Sequence, residues 1–134
     1  MGSASNEPVV QETVNALEQL QIDYEVRVMS AHRAPERVRE YAEQARTRGI
    51  EVLIAAAGGS AALGGVLASW TTLPVIGVPL ASSELKGMDA LLATAQMPPG
   101  IPVAISRSGN RDMMGATLLS GRLPAATELA RPGL

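Results

Sequence analysis

The chain contains no cysteine and no phenylalanine, and only one tryptophan, one histidine and two tyrosines in 134 residues. The missing cysteines exclude a disulfide scaffold, a thiolate zinc site and a thiol nucleophile. A single imidazole excludes any site that needs two histidine ligands. With 11 Lys+Arg against 13 Asp+Glu, a formal net charge of -2, the chain has no basic footprint for nucleic acid. No apolar run approaches the roughly 18 residues that suggest a membrane span. The N-terminal stretch Gly2-Ser3-Ala4-Ser5-Asn6-Glu7 is polar, unlike a signal peptide. These absences lead us to expect a cytoplasmic protein with no nucleic-acid and no membrane partner. What is present is 46% apolar residue content with only 2% aromatic, so the core must be built from Ala, Val, Leu, Ile and Met. The length suits one domain over residues 1–134, with 124–134 as a C-terminal tail.

Short apolar runs alternate with helical patterns. Ile22 to Met29 (IDYEVRVM), Glu51 to Ala57 (EVLIAAA), Pro74 to Leu80 (PVIGVPL) and Pro102 to Ser106 (PVAIS) read as strands. Runs that are apolar throughout suit a parallel sheet covered on both faces. Pro8 opens a first helix, with Val10, Val14 and Leu17 on one face up to Leu20. Pro35 opens a second, stopped by Gly49 after Arg46 and Arg48. Ala61 to Ser69 is a small, apolar helix. Ser83 is expected to cap a fourth carrying Met88, Leu91, Leu92 and Ala95, and Asp112 a fifth ending before Pro124. The order α-β-α-β-α-β-α-β-α predicts a doubly wound parallel α/β sheet in three α/β/α layers. Such a sheet begins with a central strand, whereas only Met1 precedes the Gly2-Ser3 turn, so the first strand is expected to be missing or truncated.

Ligands of such sheets bind at the carboxyl ends of the strands. The turn at residues 2–6 offers hydroxyls and helix N-terminal amides suited to a phosphate or ribose, or is an ordinary Ser/Asn cap. Ser30-Ala31-His32-Arg33-Ala34-Pro35 offers a hydroxyl, a guanidinium fork for phosphate and an imidazole that moves protons near neutral pH; the bland alternative is a loop histidine. The stretch from Ala57 to Gly65 (AGGSAALGG) allows close backbone approach to a ligand, or serves only close helix–sheet packing. It matches neither a Walker loop nor the dinucleotide fingerprint. Residues 79–83 form a fourth such turn. Residues 107–112 (RSGNRD) form a polar loop, either solvated or closing over the site.

Taken together, MGSASN at 1–6, YEVRVMSAHRAPER at 24–37, AAAGGSAALGG at 55–65, LPVIGVP at 73–79 and QMPPGIPVA at 96–104 resemble the aminoimidazole ribonucleotide carboxylase/mutase family of purine biosynthesis. The resemblance runs in order to about Leu119. It implies a flavodoxin-like α/β fold, a homo-octamer with sites between subunits, and no metal or organic cofactor. It further implies a small-molecule substrate, a ribonucleotide or related carboxylate together with CO2. The bacterial type isomerises 5-(carboxyamino)imidazole ribonucleotide to its 4-carboxy isomer by losing CO2 from the carbamate and adding it to the ring carbon. Carried over residue by residue, His32 is the proton shuttle, and Ser3, Ser30 and Arg33 bind phosphate and ribose. Ser5, Asn6, Ser60 and the Gly58-Gly59 backbone line the site.

The chain departs from the pattern at several places. The first motif normally ends Ser-Asp and here ends Ser5-Asn6. The glycine loop of the bacterial mutase carries a second histidine followed by Leu-Pro-Gly, where this chain has Ala62-Leu63-Gly64-Gly65. The last loop reads Gly109-Asn110-Arg111-Asp112 in place of Gly-Lys-Ala-Gly, with Gly115 at the position of a family Asn. Three readings stand on the sequence: a purine-pathway mutase or carboxylase with a diverged pocket; a relative recruited to specialised metabolism, decarboxylating or carboxylating another heteroaromatic or nucleotide-like acid; and a non-catalytic binding or assembly protein.

Overall fold

The computed structural model describes residues 1–3 and 7–106. Among them the elements run α1 (Glu7–Gln19), α2 (Pro35–Ala45), β1 (Leu53–Gly58), α3 (Leu63–Ser69), β2 (Val75–Leu80), α4 (Met88–Ala95) and β3 (Ala104–Ile105). The predicted fifth helix, the 107–112 loop and the 124–134 tail lie outside the described residues.

The three strands are parallel, in the order β1-β2-β3. Leu53 is opposite Val75 and Gly58 opposite Leu80, while Ile76 and Gly77 face Ala104 and Ile105. Side-chain alternation sorts β1 between two layers. Leu53, Ala55 and Ala57 pack with Val38, Ala42 and Ala45 of α2 and with Leu63 and Leu67 of α3. Ala56, with Val78 and Leu80 of β2, faces Val9 and Val10 of α1 and Met1. Methyl side chains on β1 let helices approach from both sides, and the same economy governs β2. A Cβ on Gly77 would stand 2.5 Å from a methyl of Thr94, so only hydrogen fits there.

The helix boundaries follow local chemistry. Pro35 sits at the start of α2, where no N–H is needed. A 3-10 turn over Arg46–Arg48 extends the helix to Gly49, whose φ of 83° and N–H bond to the Arg46 carbonyl end it. The fourth helix starts later than expected. Residues 83–86 form a turn, with the Lys86 N–H on the Ser83 carbonyl, and Gly87 at φ 88° is the residue that caps α4. Ser83 is therefore not the cap, because the chain needs a left-handed residue before it can turn into the helix.

The 22–29 run differs most from its prediction, since it is not assigned to the sheet. A strand is defined by a neighbour, and here the neighbouring place is held by two residues. The Met1 amine donates to the Arg27 carbonyl (2.7 Å), and the Met29 N–H donates to the Met1 carbonyl (2.9 Å). This is a parallel bridge between Met1 and Val28. On its other side, the Gly2 N–H reaches the Ala56 carbonyl of β1 at 3.0 Å. Met1 and Gly2 thus lie between the 22–29 segment and β1, bonded to both. Along the segment up to and including that bridge, Ile22, Val26 and Val28 stay over 40% exposed (44%, 42% and 46%).

Side chains tie the segment down instead. Glu25 accepts from Tyr41 of α2 (3.0 Å), from Arg27 (3.1 Å) and from Arg48. Burial works to raise the Glu25 carboxyl but is outweighed by the hydrogen bonds from Tyr41 and Arg48 and by the Arg48 charge, which hold it below its ordinary range. Burial first, then the bond to Glu25, pushes the Tyr41 phenol up to about 12. A phenol raised in the folded state supports folding below its unfolded value of 10.0 and loses that support as pH climbs toward 12. In a Tyr24→Phe background, the phenolate absorbance of Tyr41 is expected to appear near pH 12 and to move back toward 10 in Glu25→Gln. A Tyr41 transition at or below 10 would refute the clamp. Elsewhere, Arg39 of α2 lies over the Trp70 ring at the end of α3, 4.1 Å from its centroid.

Candidate functional site

The carboxyl ends of adjacent chain segments meet in one open cleft. Gly2 and Ser3 come from the N-terminal segment, Ser30, Ala31 and His32 from the turn before α2, and Ala57 and Gly58 from the end of β1. The loop into α3 adds Ala61, Ala62 and Leu63, and Ser82 follows β2. The cavity volume is ≈ 220 Å³, below the roughly 300–1,000 Å³ usual for ligand sites, so a ribonucleotide would be enclosed only in part.

Each wall has a local cause. The turn before α2 is closed by the Ala34 N–H on the Ser30 carbonyl (2.9 Å), and the Arg33 N–H donates to Ser30 Oγ (3.3 Å). These bonds fix the backbone on both sides of His32, whose side chain stays at the surface where it can meet a ligand. The β1–α3 loop turns sharply. Gly59 has φ 60°, and Ala61, at φ 42°, donates its N–H to the Gly58 carbonyl. A left-handed alanine is strained, of order 1–3 kcal/mol, and such strain concentrates at ligand-binding turns. Gly58 is required by contact: a Cβ there would lie 1.7 Å from Ser82 Oγ and 3.1 Å from the Leu80 carbonyl.

Of the residues singled out from sequence, Ser3, Ser30, His32 and Gly58 come together on the cavity wall. Arg33, Gly59 and Ser60 do not line it. Arg33 contributes through its backbone bond to Ser30, Gly59 through the turn, and Ser60 is exposed beside it. Ser5 and Asn6 lie outside the described residues. Ser82 was legible only as part of a turn at a strand's carboxyl end, and its place over Gly58 needed the β1–β2 register. Among the described residues no three His, Asp or Glu side chains gather as metal ligands, and no helix is long and apolar enough to cross a membrane.

Chemically, the wall combines hydroxyl donors, one imidazole and an apolar floor of alanines and Leu63. That set can orient a polar, anionic small molecule and transfer a proton at the imidazole.

A family model described as AIR carboxylase matches residues 1–129. The chain is 52% identical over 131 residues to an N5-carboxyaminoimidazole ribonucleotide mutase of Pyrococcus abyssi, covering 96% of this chain and 75% of that relative. To the Bacillus subtilis protein of the same name it is 48% identical over 133 residues, covering 98% of this chain and 82% of the relative. A crystal structure of Treponema denticola PurE matches with a TM-score of 0.78 at 23% identity, over 96% of this chain and 82% of that one, and shares its fold.

Proposed function

The chain belongs to the AIR carboxylase family, and on that footing we propose that it is an N5-carboxyaminoimidazole ribonucleotide mutase of purine biosynthesis. The observation that carries this reading is the chain's sole histidine on the cavity wall beside Ser3 and Ser30, in a chain about half identical to relatives of that name.

In this reading the carbamate N–C bond of the substrate breaks, and its electron pair returns to the aminoimidazole as CO2 leaves. The ring carbon then attacks the retained CO2, and its proton passes to His32 Nε2 or Nδ1. The proton returns to the released amine nitrogen, so atoms and charge balance with no cofactor or metal. Ser3, Ser30 and the amides at the start of α1 hold phosphate and ribose, with Arg33, Ser5 and Asn6 nearby in sequence. The Gly58-Gly59 backbone and Ser60 border the ring side. The alanines and Leu63 offer CO2 an apolar surface to rest against between the two steps.

We place the protein in the cytoplasm as a homo-oligomer, an octamer with sites between subunits. Supporting assembly, Leu85, Met88, Leu91 and Leu92 lie exposed together at and before α4, an apolar patch suited to a second subunit. The recruited-decarboxylase reading is favoured by one fact, the lack of a second histidine in the glycine loop.

Incubation with 5-(carboxyamino)imidazole ribonucleotide is expected to give the 4-carboxy isomer, followed by its absorbance. Accumulation of aminoimidazole ribonucleotide with free CO2, at a rate above the uncatalysed one, would replace the mutase reading with the decarboxylase. No acceleration at high enzyme concentration would end both.

A further inference from the structure

Of the polar side chains on the cavity wall, Ser3, Ser30 and His32 all belong to the N-terminal segment and the turn before α2. The opposite side of the cleft is formed by the ends of β1 and β2 and the loop into α3. Its wall is Ala57, Gly58, Ala61, Ala62 and Leu63, none with a polar side chain, and then Ser82. Parallel pairing of Gly58 with Leu80 brings the chain after β2 alongside the glycine, and the Ser82 N–H folds back onto the Leu80 carbonyl at 2.9 Å. That turn sets the Ser82 hydroxyl over Gly58, in the space a Cβ would otherwise fill. The side chain is exposed to the cleft, and among the described residues its Oγ has no hydrogen-bond partner. A lone donor on an otherwise apolar wall, held by backbone geometry, is the pattern of a group that orients one polar end of a ligand.

We propose that Ser82 is a substrate-binding residue that donates a hydrogen bond to the carboxylate carried by the imidazole ring, opposite the end held by Ser3 and Ser30. This rests on the mutase reading above and assigns that substrate's carboxylate to the β2 side of the cleft. Gly58 is then necessary twice, once for close approach of the ring and once to leave room for the hydroxyl.

The test is calorimetric titration of the 134-residue chain, Ser82→Ala and Ser82→Thr with two probes: aminoimidazole ribonucleotide, which lacks the carboxylate, and its 4-carboxy derivative. Loss of one hydrogen bond to a charged acceptor is expected to weaken binding of the carboxylated probe by Ser82→Ala about 10- to 100-fold. The uncarboxylated probe is expected to bind unchanged, and Ser82→Thr to retain the wild-type preference. Equal weakening of both probes, no weakening of either, or a threonine variant as weak as alanine would overturn the role. If the unsubstituted protein binds neither probe, the mutase reading itself falls and the Ser82 role with it. Binding of both probes with no discrimination by Ser82→Ala removes the Ser82 role alone.

Discussion

Substituting His32 with asparagine is expected to lower turnover of 5-(carboxyamino)imidazole ribonucleotide by about 10²- to 10⁴-fold, the usual worth of a positioned general acid–base group. The expectation is sharp because the chain has no second imidazole to take over. Nearby hydroxyls are poor substitutes, since a serine neither holds nor releases a proton near neutral pH. The substitution leaves the fold alone: the side chain is exposed, and the turn around it is closed by backbone groups of Ala34 and Arg33 on Ser30. Binding of the uncarboxylated nucleotide and the melting temperature should therefore stay at wild-type values while product formation collapses. A His32→Asn variant that keeps more than about a tenth of the rate, against the ≥10²-fold expected of a general acid–base, would remove His32 from the chemistry.

The second large effect concerns stability. Joining six apolar, β-branched residues to Met1 is expected to stabilise the chain by on the order of 3–5 kcal/mol, the surplus of burial and ladder hydrogen bonds over chain ordering. The register sets the length. With Met1 bridged to Val28, a residue opposite Ile22 lies six positions upstream of Met1; with the Gly2 N–H on the Ala56 carbonyl, the first three of those also run beside β1 as far as Leu53. Such a segment would hydrogen-bond to the 22–28 backbone on one side and the outer edge of β1 on the other. It would also convert the Met1 amine, which burial holds below its ordinary value of 8.0, into a neutral amide. Denaturant midpoints of this variant and of one carrying six Gly/Ser residues decide the matter. Equal midpoints would show that the 22–28 edge does not accept a strand.

The same two regions mark how far the residues speak for themselves. β1 and β2 were readable because continuous apolar runs bounded by Gly and Pro have few other uses, and their ladder formed within a residue or two of expectation. Pro35 and Gly49 set their boundaries through a fixed φ and a left-handed φ, which are local properties. The 22–29 run has the composition of a strand, yet strand formation depends on what lies beside it, and that is decided by Met1 and Gly2, more than twenty residues away. Ser83 illustrates another limit. A serine before a helical pattern is a good cap, but the positive φ at Lys86 and Gly87 shifts the entry point by four residues. In the site, Ser30, His32 and Gly58 were legible because they sit in turns following strand-like runs, and Ser3 because it sits in a Gly/Ser turn before a helical pattern. Ser82 was not separable from Ser83 until the fold placed its hydroxyl above Gly58.

The stacking of Arg39 on Trp70 has a practical reach beyond packing. As the chain's one tryptophan, Trp70 gives the molecule a single intrinsic fluorophore, fixed at the seam between the helix that follows the histidine turn and the helix that follows the glycine loop. A guanidinium at van der Waals range perturbs indole emission, so any movement of those two helices against each other changes the optical signal at its source. The two loops that line the cleft thus lead into helices that share one unlabelled gauge.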